Sequence, residues 1–160
     1  MPPEAWLEPI AAAKNRTLQD APQGTIRYSG RGWDPERVAS YHERLSRQHR
    51  VLLTLVLDED GHAVALTELS SPIERPAAMG QQLFTVVMPE HRGHGLGALV
   101  KARNLLALKQ AVPQTPGVVT MNAAANRHML AVNEALGMRT TRAVGLFRRD
   151  GQPPRPAGIT

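Results

Sequence analysis

Residues 86–108, VVMPEHRGHGLGALVKARNLLAL, read as the end of a strand, a basic glycine-rich turn and the start of a helix. Val86 and Val87 close an extended apolar stretch that begins near Gln82, and Pro89 stops it. Gly93, Gly95 and Gly97 then remove every second β-carbon where the helix begins. Such a turn presents bare backbone N–H groups to an anion. The helix N-terminus adds about half a positive charge, so a phosphate or pyrophosphate is held by backbone donors and dipole together. Function is expected here.

The remainder supplies the elements that position this turn. Leu7, Ile10, Ala11 and Leu18 have helical spacing within 6–19, and DAPQG ends that run. Asp34-Pro35-Glu36 offers an N-cap with proline at the first helical position, predicting a second helix to about Arg47. VLLTLVL (51–57) and HAVALTEL (62–69) flank the turn DEDG and predict an antiparallel hairpin. A third strand is expected over 82–88, then a helix over 95–110 with Leu96, Leu99, Ala102 and Leu106 as its core face. A short buried strand at 117–121, a helix at 126–136 closed by Gly137, and a returning strand or hairpin at 138–149 complete the reading.

At 160 residues the chain fits one domain. A net charge of +5 favours anionic partners, but arginine and lysine are spread from Arg16 to Arg155 without a dense block. Nucleic acid is disfavoured further by the scarcity of stacking aromatics. The absence of cysteine excludes a disulfide framework, a thiolate metal site and a cysteine nucleophile. His42, His49 and His62 lack metal-ligand spacing, so no metal is expected. No apolar run approaches the ~20 residues needed to span a bilayer, which leaves a cytoplasmic enzyme as the expectation.

Two nucleotide motifs resemble the turn and fail. Gly93-His94-Gly95-Leu96-Gly97-Ala98 satisfies the dinucleotide pattern G-x-G-x-x-G/A. Pro89-Glu90-His91-Arg92 nevertheless separate it from its strand, and no acidic residue lies around 118–122. A Walker loop would need Gly-Lys-Ser/Thr, which is absent.

Arg92-Gly93-His94-Gly95-Leu96-Gly97 instead resembles the R/Q-x-x-G-x-G/A signature of the GNAT superfamily, the Gcn5-related N-acetyltransferases. Downstream, Asn126-x-x-Met129-x-x-Val132-Asn133-x-x-Leu136-Gly137-Met138 is similar to the family's second motif, N-x-x-A-x-x-hydrophobic-Tyr-x-x-Leu-Gly-Phe. The likeness covers about 50–140 and is greatest to a subgroup that often carries two such domains in tandem. It implies an α/β fold of α+β type, with a mixed, mostly antiparallel sheet whose splayed strand pair is flanked by helices. Residues 1–49 would be an N-terminal helical segment on the acceptor side, 50–149 the acyl-CoA-binding core, and 150–160 a flexible tail.

The resemblance also implies acetyl-CoA as cosubstrate and a small-molecule or peptide amine as acceptor. The main chain of Val86 and Val87 would pair with the pantetheine arm. Amides of Arg92, Gly93, His94, Gly95, Leu96, Gly97 and Ala98 would hold the pyrophosphate, and Asn126 would contact the coenzyme or brace the loop. Asn133 departs from the family, which often has a tyrosine there as general acid; an amide can only offer the sulfur a hydrogen bond. Glu68 is the candidate base, acting on the amine through water. His91, His94 and His128 are read as surface groups. A coenzyme-binding pseudoenzyme or regulatory subunit is the alternative. The missing leading strand leaves a sheet edge beside 51–57, for which the helices before Val51 or a second copy, as a homodimer, would provide cover.

Overall fold

The computed structural model describes residues 1–20 and 31–145. A 3-10 turn, Glu4–Trp6, leads into α1 (Leu7–Asp20); α2 follows at Pro35–Ser46. Strands β1 (His49–Leu57), β2 (Ala63–Pro72) and β3 (Gly80–Val87) form an antiparallel meander. Next come α3 (Leu96–Ala111), β4 (Val118–Val119) and α4 (Arg127–Ala135). The sheet order is β1-β2-β3-β4, with β4 parallel to β3.

Period-two alternation divides the core between the two faces of the sheet. Leu53 and Leu55 of β1 turn towards α1 and α2, where they meet Ile10, Ala13, Val38, Leu66 and Val86. Leu52, the neighbour of Leu53, turns the other way and packs with Leu69, Leu105, Leu108 and Val112 beneath α3. The α2 helix starts as its sequence requires: the Asp34 side chain accepts from the Arg37 amide at 2.7 Å, and Pro35 occupies the first turn.

Three expectations need correction. The core face of α3 is not Leu96, Leu99, Ala102 and Leu106: Leu99 is 61% and Leu106 57% exposed. The buried residues are Val100, Lys101, Asn104 and Leu108. Apolar side chains occur all around this helix, so periodicity gave no unique face, and two polar residues occupy the inner one. Asn104 belongs there because it donates to Leu52 O at 3.1 Å and meets Thr54 Oγ1 at 3.3 Å. The strand expected at 117–121 pairs only through Val118 and Val119. Finally, 138–145 form no strand; 146–149, and the tail 150–160, lie outside the described residues.

Lys101 is 1% exposed and has no ion pair or hydrogen bond among the described residues; burial brings its pKa down to about 8. A charged ammonium there opposes folding. Lys101→Met should therefore raise Tm at pH 7 by roughly 3–6 °C. Between about 8 and 10.5 the unfolded chain holds the proton that the folded chain releases, so stability rises with pH and the variant's advantage shrinks through that window. An advantage unchanged from pH 7 to 11 would mean that packing, not charge, is its source.

Candidate functional site

The parallel pairing of β3 with β4 stops after Gly80 with Val118 and Gln81 with Val119. From Gln82 to Val87, the β4-facing edge of β3 has no strand partner among the described residues. The departure begins at an irregularity. Glu68 pairs with Phe84 while Leu69 pairs with Gln82, so Leu83 is the extra residue of a β-bulge. Gln82 stitches the bulge, its Nε2 lying 2.7 Å from Glu68 O, 3.0 Å from Thr67 Oγ1 and 3.1 Å from Phe84 O. Gly80 permits the close approach at the root, since a β-carbon there would lie 3.2 Å from Ser70 O.

The glycine turn lies beyond the far end of β3. Gly93 has φ 84° and Gly95 φ 72°, left-handed values that a β-carbon disfavours. Gly95 is the N-cap of α3, and the N–H groups of the six residues from Gly93 to Ala98 have no acceptor among the described residues. The amide of Arg92 differs: it donates to Pro89 O at 3.3 Å. The Arg92 side chain braces the turn, donating from Nε to Val87 O at 2.9 Å and pairing through its guanidinium with Asp20 at the end of α1. Arg16 also binds Asp20, at 2.6 and 2.9 Å, and with Arg92 holds that carboxyl below the usual carboxylate range. His94 is exposed and His91 half-buried.

The α4 helix, which packs on α3, carries the second motif. Asn126 is the N-cap, its side-chain oxygen accepting from Met129 N at 3.2 Å. Asn133 is 6% exposed; its Nδ2 donates to Asn122 Oδ1 at 2.9 Å, while its own Oδ1 is buried without a partner. Gln82 Oε1 is a second buried acceptor in that condition. Met129 and Val132 are half-buried and His128 is exposed.

Glu68 lies inside β2, which extends three residues beyond the predicted strand, and is fully buried. Its Oε2 is 2.8 Å from Lys14 Nζ and 3.5 Å from His42 Nε2, and its Oε1 accepts from Tyr41 OH at 2.9 Å. Lys14 and Glu68 meet as charges without good hydrogen-bond alignment. Burial lowers the pKa of Lys14 and of His42, opposed in both by the Glu68 charge. Burial likewise pushes the Tyr41 phenol up, and Glu68 adds to the shift.

Lys14 is also enclosed by aromatic rings. Its Nζ stands 3.9 Å from the Tyr41 centroid, 4.2 Å from that of Phe84 and 4.5 Å from that of Trp33. The rings are nearly perpendicular, at 86° for Trp33 with Tyr41 and 87° for Trp33 with Phe84. Asn15, next to Lys14, clamps the Trp33 backbone: Nδ2 donates to its carbonyl at 2.8 Å and Oδ1 accepts from its amide at 2.7 Å. A cleft of about 450 Å³ lined by Trp6, His42, His49, Arg50 and Leu53 lies away from the splay and reaches this cluster only at His42.

Sequence reasoning named the turn, Asn126, Asn133 and Glu68 as site residues and gave no role to Lys14, Trp33, Tyr41, His42 and Phe84. One signal was available. Lys14 continues the stripe Leu7, Ile10, Ala11, where a cation in place of an aliphatic residue requires a buried counter-charge.

No protein-family profile and no curated protein matches the chain. Solved structures do. A tandem GNAT protein from the clavulanic acid biosynthesis pathway aligns at 31% identity and a TM-score of 0.67, over 86% of this chain and 39% of its own. This chain thus spans about two fifths of that protein's length. An aminoglycoside 6'-N-acetyltransferase from Acinetobacter haemolyticus aligns at 18% identity and TM-score 0.63, over 94% of this chain and 97% of its own. A ribosomal-protein-alanine N-acetyltransferase from Brucella melitensis does so at 17% and 0.63, over 85% and 80%. The last two likenesses speak for the fold.

Proposed function

From a chain that has the GNAT fold and whose structural neighbours are GNAT acetyltransferases, we propose an enzyme that transfers an acyl group from acetyl-CoA to a primary amine. The observation that carries the reading is the run of six amides, Gly93 to Ala98, that find no acceptor among the described residues, beyond the open edge of β3. The pyrophosphate would rest on those amides and the α3 dipole. The pantetheine arm would follow the edge of β3 from Val87 towards the bulge, bringing the thioester near Glu68 and Phe84. Asn133, on α4, would offer an amide to the sulfur. Asn126 acts by capping α4, and Arg92 by bracing the turn.

A second reading has its own observation. Glu68 is sealed from solvent and neutralised by Lys14, so this carboxylate is not free to deprotonate an amine. A coenzyme-binding domain without efficient transfer would look like this. Incubation with acetyl-CoA and a panel of primary amines, reading free thiol, separates the two: acceptor-dependent release supports transfer, and saturable coenzyme binding without release supports the second reading.

For transfer, Asn133→Ala should lower kcat roughly 5- to 30-fold, the cost of one neutral hydrogen bond, with KM for acetyl-CoA little changed. Rates measured across pH would check the assignment, because an amide has no titration to remove. A thousandfold loss would show that Asn133 does more than orient the sulfur. A homodimer would cover β1, whose outer edge pairs with no strand among the described residues.

A further inference from the structure

A lysine buried at 0% exposure needs compensation from every side, and here it comes from segments far apart in sequence. Trp33 precedes α2, Tyr41 lies within it, Glu68 is on β2 and Phe84 on β3. Their three rings and one carboxylate converge on a single point, occupied by Lys14 Nζ at the end of a side chain reaching in from α1. The chain has six aromatic residues, and three are spent on this amine. Ring faces attract a cation through their quadrupoles, most strongly when water is excluded. The Glu68 oxygen stands 2.8 Å from this nitrogen, nearer than the methyl groups of a quaternary ammonium would let its nitrogen come.

We propose that Trp33, Tyr41, Phe84 and Glu68 form a binding site for a primary alkylammonium group, and that Lys14 is its tethered occupant. The walls do not depend on Lys14 for their arrangement. Trp33 is held by Asn15, the rings pack edge to face on one another, and Glu68 is fixed by Tyr41 OH. The site adjoins the bulge, since Glu68 and Phe84 are the pair beside it. If the chain is an acyltransferase, on which the functional meaning rests, an acceptor amine competes with Lys14 for Glu68. Vacating the cage then frees the carboxylate.

The experiment uses Lys14→Ala and n-propylammonium, which reproduces the atoms from Cγ to Nζ that the substitution removes. Propylammonium should raise the Tm of the variant saturably and perturb its tryptophan fluorescence, whereas 1-propanol and tetramethylammonium should do neither. The unsubstituted protein should bind propylammonium about tenfold or more weakly, because the tethered amine competes at high effective concentration. Lys14→Met, which fills the space without charge, should not bind it. A folded Lys14→Ala protein indifferent to propylammonium, or a Lys14→Met protein that binds it equally well, would overturn the proposal. Should Lys14→Ala not fold alone, recovery with propylammonium but not with 1-propanol supports the site, and recovery with neither refutes it. No coenzyme is present, so a negative result leaves acetyl-CoA binding to be judged by its own titration.

Discussion

Glu68→Ala is expected to destabilise the fold by about 3–5 kcal/mol, the range for removing one member of a buried ion pair and leaving the other charge uncompensated. The Lys14 ammonium would remain at the junction of α1, β2 and β3, surrounded by rings and cut off from water. Tyr41 OH would lose its acceptor and His42 its nearest anion. For a chain of this size, the loss corresponds to a fall in Tm of roughly 6–20 °C. The compensated double variant Lys14→Met/Glu68→Gln tells charge from packing. It keeps the volume of both side chains and the hydrogen-bonding capacity towards Tyr41, and it should recover most of the stability, because neutral replacement of a buried pair is often tolerated. Thermal melts of the two variants beside the parent protein give the answer. A double variant as unstable as Glu68→Ala would assign the loss to shape, and a single variant within about 1 kcal/mol of the parent would show that the pair contributes little.

The same pair marks where the sequence stopped being informative. The turn was legible because its signal is local: Gly93 and Gly95 adopt positive φ, and the amides they free follow one another along the chain. The Asp34 cap and the β1–β2 hairpin are local in the same sense. Glu68 could be named from its strand, but its state is set by Lys14, 54 positions earlier, and by rings contributed by three further segments. No spacing rule connects them. The inner face of α3 was misread for a related reason. Asn104 is inside because Leu52 O and Thr54 of β1 need a partner, a demand that the helix's own pattern of leucines does not express. The splay itself follows from the brevity of β4, where pairing ends at Val119 and the polar Thr120 follows.

Gly95→Glu should reduce acetyl-CoA affinity by about a hundredfold or more while leaving a folded protein. Two effects combine. At φ 72° a residue with a β-carbon is disfavoured by roughly 1–2 kcal/mol, so the turn tends to relax towards another conformation and the six amides cease to converge. The new carboxylate also takes the position at the α3 N-terminus that an anionic ligand needs, satisfying the dipole from within and repelling a pyrophosphate. The free space around Gly95, where an added β-carbon meets no atom within 4 Å, means that the fold need not be disrupted by a clash. Gly95→Asn separates the two effects, because asparagine tolerates the left-handed region and carries no charge; its affinity should fall much less. Calorimetric titration with acetyl-CoA measures the loss, and S-acetyl-pantetheine, which lacks the pyrophosphate, should bind the parent and Gly95→Glu proteins alike. If Gly95→Glu binds acetyl-CoA within about threefold of the parent, or loses acetyl-pantetheine to the same degree, the amides of this turn do not hold a pyrophosphate and the coenzyme must be sought elsewhere on the protein.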